Sequence, residues 1–332
     1  MGGGSPLGIV GDIGGTHARF ALAVRDGEHG IRLDQVVKLS TRDFASFEAA
    51  VDRYMSGLSE VPSAAVFAVA SPIAGDEIKM TNNPWVLRPS LLAERLGLGT
   101  IRLVNDFEAI ARAVSGLSRD DLHDLAPARF ELPDTGAISV VGPGSGLGVG
   151  LLLRQDGRDH IVASEGGHIG FAPADQIEVR IHDFVRERYP RVSAERLVSG
   201  PGLVQIYLAL AALEGRANVL PPHATELWES AIDHADPHAR AAVERWLMML
   251  GSFAGDMALA HGASAVVLAG GILPRLTGRF DVGPLVARFQ AKGRFEAMMG
   301  RIPLALIAHP EPGMLGAARL LPDDGAARLS AA

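Results

Sequence analysis

The sequence predicts an α/β protein made of two similar halves with a cleft between the copies. Short apolar, strand-like runs alternate with segments of helical period along the chain. The stretch "VGDIGGTHARFALA" shares its plan of strand, glycine-rich turn and strand with "VVGPGSGLGVGLLL" at residues 140–153. A third glycine turn, in "VVLAGGILPR" at 266–275, follows another strand-like run. There is no repeat at solenoid period, so a repeat array is excluded.

The strand-like runs come in order at Leu7–Val10, Ala18–Val24, Ala64–Ala70, Ile101–Val104, Ala137–Val141, Gly148–Leu153, Ala265–Leu268 and Leu304–Ala308. Between them, helical spacing covers Phe44–Met55, Ser90–Leu96 and Phe107–Val114. Ser90, with Pro89 ahead of it, reads as an N-cap. A longer helical region runs from about Arg196 to His261, with breaks expected at Gly200-Pro201 and Pro221-Pro222. From Pro322 the tail reads as frayed or as a short surface helix.

At 332 residues the chain accommodates two domains, and 48% hydrophobic residues supply a sizeable core. It contains no cysteine. Disulfides, thiolate zinc sites and cysteine nucleophiles are therefore excluded, and a cytoplasmic setting is compatible. A net charge of −7 and a pI near 5.9 speak against a broad nucleic-acid footprint. Met1–Pro6 lacks the basic and apolar regions of a signal peptide, and Pro6 stands where a myristoylation signal needs Ser or Thr. The longest apolar stretch, Leu203–Leu213, is interrupted by Gln205 and is too short to span a bilayer, so no membrane association is expected.

The turns carry the first chemical signal. Without a Cβ, Gly11, Gly14, Gly15, Gly144, Gly146, Gly270 and Gly271 let backbone N–H groups approach an anion. Thr16 and Ser145 add hydroxyl donors. Asp12, followed by Ile13, is placed to hold a hydrated Mg2+, which keeps most of its waters and takes few carboxylates. Either turn alone reads first as a tight hairpin. Three together, two with adjacent hydroxyls, point to a nucleotide phosphate site. Other nucleotide and hydrolase signatures are missing: there is no P-loop, no nucleophile elbow and no His-Glu-x-x-His. The alternating glycines at 144–150 run into a strand rather than a helix, unlike a dinucleotide fingerprint.

Three polar groups accompany the turns. In "RLVNDFEAIARAV", Asn105 and Asp106 end a strand and begin a helix. Asp106 either caps that helix or, at the C-terminal end of a strand where ligands bind, accepts a proton from a substrate hydroxyl. In "SEGGHIGFAP", Glu165 and His168 flank two glycines, which rules out a helical zinc pair. They are either loop polar groups or the rim of a site for a hydroxyl-rich ligand. Glu195 in "SAERLVSGPG" reads as a helix-start glutamate or as a further contact of that kind.

The ordered set of motifs resembles the bacterial glucokinase family of enterobacterial type. The resemblance runs nearly end to end: "GDIGGTHARFALA", "SPIAGDEIKMTNNPW", "LVNDFEAIARA", "GPGSGLGVGLL", "SEGGHIGFAP", "RVSAERLVSGPGL", "LAGGILPR", "AKGRFEAMMGRIPLALI" and "PGMLGAA". It implies an actin-like fold with two ribonuclease-H-like domains around a central cleft, commonly as a homodimer. The small domain would be 1–106 plus 318–332 and the large domain 107–317. It implies ATP as donor, with "GDIGGT" and "GPGSG" as the two phosphate turns and "LAGG" near the adenosine. It implies D-glucose as acceptor, with Asn105, Asp106, Glu165, His168 and Glu195 as sugar contacts. Asp106 would act as general base for transfer of the γ-phosphate of Mg·ATP to the 6-hydroxyl. The chain departs from the family at His17, where Asn is common, and at Gly170, where Asp is common.

Three rivals are weaker. The repressor–ORF–kinase group usually carries a cysteine-rich zinc motif, and this chain has no cysteine. A sugar-responsive regulator would need a helix-turn-helix ahead of Gly11, where ten residues stand. A non-kinase actin-like ATPase would not need Asn105-Asp106 together with Glu165, His168 and Glu195.

Overall fold

The computed structural model describes residues 6–27, 30–80, 83–216 and 219–322. The glycine-rich start, Thr81 and Asn82 of the second quoted motif, and the expected tail beyond Pro322 lie outside the described residues. The chain divides into two compact units, one of Met1–Leu117 with His309–Ala332 and one of Ser118–Ala308.

The first unit opens with β1 (Pro6–Ile13), β2 (His17–Asp26), β3 (Gly30–Ser40), α1 (Phe47–Met55) and β4 (Ala64–Val69). It continues through the short pair β5 (Ile78–Lys79) and β6 (Val86–Leu87) to α2 (Pro89–Leu96), β7 (Thr100–Asn105) and α3 (Asp106–Val114). The second unit contains β8 (Leu122–Asp124), β9 (Gly136–Pro143), β10 (Leu147–Gln155), β11 (Arg158–Ser164), α4 (Gln176–Arg186), α5 (Gly200–Leu213), α6 (Ala224–Ile232) and α7 (Pro237–His261). It ends with β12 (Ala263–Leu268), α8 (Leu273–Leu276), α9 (Gly283–Gln290), α10 (Glu296–Met299) and β13 (Leu304–Ile307). The chain then returns to the first unit with α11 (Pro312–Ala318).

Both units are mixed α/β, and their sheets repeat one plan. The first sheet has the order β3-β2-β1-β4-β7, and the second has β11-β10-β9-β12-β13 with β8 added at the edge. In each, the first three strands form an antiparallel meander and the next two run parallel to its innermost strand. The echo between the glycine-turn segments thus corresponds to equivalent hairpins, β1–β2 and β9–β10.

Every expected strand is present. β4 is buried along its whole length, as a strand covered on both faces must be. One face of the first sheet packs Ile9, Phe20 and Phe67 against Phe47 of α1 and Leu92 of α2. Phe47 and Phe67 meet edge to face at 5.0 Å. The other face packs Val10, Val66 and Val104 against Ala109 of α3 and Met314 of α11. Both helices belong to the first unit, whereas the division expected at 106 and 318 set most of each apart from it. They approach closely because a Cβ on Gly316 would lie 1.7 Å from the Ala109 carbonyl oxygen. In the second unit one core joins α7 to α5, α6 and α9, with Trp246 fully buried and its ring 5.0 Å from that of Trp228.

Several expectations need correction. The N-cap of α2 is Arg88, with Pro89 and Ser90 in the first turn. The Ser90 hydroxyl and N–H instead reach the Asp76 carboxylate, at 2.5 and 3.0 Å. The segment from Phe44 begins as an α-helix only at Phe47, where the Ser46 hydroxyl caps it. Gly200-Pro201 opens α5 rather than breaking a helix, because Pro is well suited to a first turn.

Two stability predictions follow from this packing. Gly316→Ala forces a methyl group onto the Ala109 carbonyl, so urea unfolding should show a loss of about 3 kcal/mol; an unchanged midpoint would contradict the close approach. His261 ends α7 with Nδ1 at 2.7 Å from the buried Ser139 hydroxyl, and burial holds its imidazole below the ordinary value of 6.5. The folded state therefore favours the neutral ring, and the unfolded state takes up the extra proton. Stability should fall as pH drops below 6.5, and His261→Gln should flatten that part of the curve of urea midpoint against pH.

Candidate active site

In the first unit, the parallel strands β1, β4 and β7 bring their C-terminal ends to one edge of the sheet. Ile13, Val69 and Asn105 lie side by side in the ladder. The first glycine turn leaves β1 at this edge, and Asn105-Asp106 leaves β7. The turn is closed by Gly14 N–H donating to the His17 carbonyl at 3.0 Å. It is tied to the residue just after β3, Thr41, whose N–H donates to the Thr16 carbonyl at 3.0 Å and whose buried hydroxyl donates to the Gly15 carbonyl at 2.8 Å. Gly11 sits back in β1 against the Phe67 ring, so its part is packing beneath the turn. Thr16 is exposed at the tip.

Asn105, not Asp106, caps α3. Its Oδ1 accepts from the N–H groups of Phe107 and Glu108 at 2.9 and 3.2 Å, and its Nδ2 donates to the Ser71 carbonyl at 3.4 Å. Asp106 becomes the first helical residue, with Oδ1 accepting from Phe107 N–H at 2.9 Å. A carboxylate there is stabilised by the helix dipole.

Asp12 faces the side of the sheet that α3 and α11 cover, beside the first turn of α11. Arg19, its cross-strand partner, donates through Nη1 to Asp12 Oδ2 at 2.9 Å. The same guanidinium lies with Nε 3.5 Å from Glu311 Oε1. Burial raises the Asp12 carboxyl above its ordinary value against the opposing pull of Arg19. Burial also raises Glu311, with Arg19 and Lys38 pulling down and Asp12 adding to the rise. His17 is held down by burial first, then by Lys38 and Arg19. Arg19 and Lys38 lie opposite each other on β2 and β3, in the ladder row that starts at Asp12 and lies behind the turn.

The second unit assembles its candidate residues around the start of β10. Leu147 N–H donates to Glu195 Oε2 at 3.0 Å. The Leu147 carbonyl lies where a Cβ on Gly167 would fall, at 1.9 Å. The Glu165–His168 loop, Glu195 and the second glycine turn therefore meet at one backbone position. Two further backbone links join the loop to the Glu195 segment: Ala194 N–H to the Ile169 carbonyl at 2.8 Å and Phe171 N–H to the Val192 carbonyl at 3.2 Å. Gly170 takes part through a bridge to Ser193, which needs no side chain. Glu165 and His168 are exposed, with Oε2 and Nε2 3.8 Å apart.

The second and third glycine turns also adjoin. Gly270, at φ +105°, leaves β12 with its Cα so close to the Pro143 carbonyl that a Cβ would lie 2.4 Å away. The Gly144 carbonyl accepts from Gly200 N–H at 2.8 Å, which seats the start of α5 against the second turn. Ser145 and Glu195 line one small cavity of about 90 Å3 with Ser199 and Gln205. Gly146 lies within this turn, accepting from Gly144 N–H at 2.8 Å, and Gly271 stands in open space.

Sequence reading missed Thr41, Ser71, Arg19 and Glu311. Arg19 lay inside a quoted motif, but its partner Glu311 is at the other end of the chain. Among the described residues no three acidic or imidazole side chains form a metal cage. Hydrated Mg2+ needs none, because it takes one or two carboxylates together with waters and phosphate oxygens. Asp12 beside the turn, with Glu311 across Arg19, fits that demand.

The family model described as Glucokinase matches residues 9–323. A glucokinase of Zymomonas mobilis subsp. mobilis is 45% identical over 308 residues, covering 92% of this chain and 95% of that protein. The crystal structure of a glucokinase from an Antarctic psychrotroph matches with a TM-score of 0.82 at 31% identity, covering 94% of this chain and 98% of that one. A ROK family glucokinase from Streptomyces griseus, solved in complex with glucose and AMPPNP, matches with a TM-score of 0.64 at 19% identity over 95% of this chain and 98% of that one, a likeness of fold alone. Similarity of this extent, taking in all three glycine turns and the Asn105-Asp106 pair, makes the chain a member of the glucokinase family.

Proposed function

We propose that the chain transfers the γ-phosphoryl group of Mg·ATP to the 6-hydroxyl of D-glucose, giving glucose 6-phosphate and ADP. The observation that carries this reading is the convergence, on one sheet edge, of a glycine-rich anion cradle with a carboxylate at a helix start. The names of the relatives point to the same substrate, and the fold neighbour from Streptomyces griseus was solved in complex with glucose and AMPPNP.

In this reading Asp106 takes the proton of the 6-hydroxyl as that oxygen attacks the γ-phosphorus and the bond to the β-phosphate oxygen breaks. Backbone N–H groups of the Gly14–Thr16 and Gly144–Gly146 turns stabilise charge on the transferring group. Asp12 would hold hydrated Mg2+, which supplies charge neutralisation on the phosphate oxygens. Asn105, Glu165, His168 and Glu195 bind the sugar hydroxyls; the glutamates accept hydrogen bonds, and a neutral imidazole gives one and takes one. Gly270-Gly271 borders the nucleoside. The repeated sheet order supports a ribonuclease-H-like plan for each unit. We also propose a cytoplasmic homodimer. Among the described residues no helix is long and apolar enough to cross a membrane.

The test is ADP release with Mg·ATP across a hexose panel, on the unaltered chain and on Asp106→Ala. Release that requires glucose supports the reading; release with a different hexose changes the acceptor, and release indifferent to sugar leaves an ATPase. Asp106→Ala should lower turnover by about 10²–10⁴-fold while calorimetric ATP binding persists. Near-normal turnover would remove Asp106 as the base.

A further inference from the structure

Arg19 stands between two carboxylates from opposite ends of the chain. Asp12 is its direct neighbour in the β1–β2 ladder, at 2.9 Å from Nη1. Glu311, the residue before α11, is 3.5 Å from Nε. On the far side of Arg19 in the same row is Lys38, which also acts on Glu311. None of the three members of this bridge is fully exposed: their side chains keep 34%, 26% and 20% of their surface for Arg19, Asp12 and Glu311. The segment carrying Glu311 is fixed, its N–H donating to His309 Nδ1 at 3.1 Å. Gly313, in the first turn of α11, brings the backbone against the Asp12 carboxyl, with a Cβ position 3.6 Å from Cγ.

This arrangement poses a conflict for the proposed role of Asp12. A divalent cation held there, directly or through water, competes with the guanidinium already on Oδ2. A half-buried Arg that gives up its only carboxylate is left as an uncompensated charge, which is strongly unfavourable. A second carboxylate on the same guanidinium removes that penalty. Arg presents five donors in a planar fork, so it can keep Glu311 while it yields Asp12.

We infer that Glu311 is a positioning residue for the cation of the phosphate site: it retains Arg19 so that Asp12 can be surrendered to Mg2+. The inference rests on the reading of Asp12 given above and assigns a task to a residue outside the glycine turns. Arg19 then has two states, bridging Asp12 and Glu311 without the cation, and held by Glu311 with it.

The test is calorimetric titration of Mg2+ into the chain pre-bound to ADP, made on the unaltered chain, Glu311→Gln, Arg19→Gln and the double variant. Glu311→Gln should weaken Mg2+ binding by about tenfold, the order seen when groups that orient a metal ligand are removed. It should leave the KM for glucose unmoved. In the Arg19→Gln background the same substitution should have little effect, because Glu311 acts through Arg19. An equal loss in both backgrounds would mean that Glu311 attracts the cation directly, and no loss in Glu311→Gln would mean that it does not serve the cation; either overturns the inference. Failure of the unaltered chain to bind ADP would overturn the nucleotide reading as well, which separates the two.

Discussion

The chemistry-bearing residues depend on one constraint, the parallel pairing of strands next to each glycine hairpin. Parallel strands end on the same edge of a sheet, so whatever follows them is delivered to one place. In the first unit this applies to β1, β4 and β7, whose ends carry the first glycine turn, Ser71 and Asn105-Asp106. In the second it applies to β9 and β12, whose ends carry Gly144–Gly146 and Gly270. The antiparallel meander beside them cannot do this, because its successive ends alternate between edges. A register slip by one residue would also turn Asp12 from the α11 face to the α1 face.

Convergence at the sheet edge is then held by backbone contacts. Leu147 is the clearest case: its N–H binds Glu195 and its carbonyl lies under Gly167. Trp246 extends the support into the core. Its indole N–H donates to the Ser199 carbonyl at 3.1 Å, while the Ser199 hydroxyl caps α5 by accepting from Gly202 N–H at 3.1 Å. The position of Gly200 against Gly144 is therefore set by a fully buried residue of α7. Loops that are merely exposed would be mobile; these are pinned at their bases and open only at their polar tips.

Charge is used in two different ways. In the second unit Arg245 and Arg288 both pair with Asp175 and Glu178, tying α7 and α9 to the start of α4. Glu178 is fully buried and also accepts from Ala174 N–H at 2.7 Å. Two cations face two carboxylates, and the set has nothing further to bind. The Asp12–Arg19–Glu311 bridge is different: two carboxylates share one guanidinium, and one of them stands beside an anion cradle. Arg19 can keep one of them while the other turns to a cation, as the proposed site for hydrated Mg2+ requires.

The α/β class, the two halves and all eight expected strands were legible in the sequence, because strands covered on both faces are continuous apolar runs between turns. The edge strands β3 and β11 were not legible. They face solvent, and β3 breaks its alternation at a bulge where Gln35 adopts φ +50°. Local signals also left the caps undecided. Asn105 and Asp106 are both good N-caps, and only the extended backbone of Asn105 settles which one acts; Ser90 lost its cap role to the distant carboxylate of Asp76. The sequence by itself determined the family, the glycine turns and the candidate polar residues, since these are written in contiguous motifs. Only the tertiary structure decided that Glu195 meets the loop of Glu165 and His168 at Leu147, and that Arg19 joins Asp12 to Glu311. Such contacts follow from strand register and helix return across the length of the chain, and no local pattern carries that information.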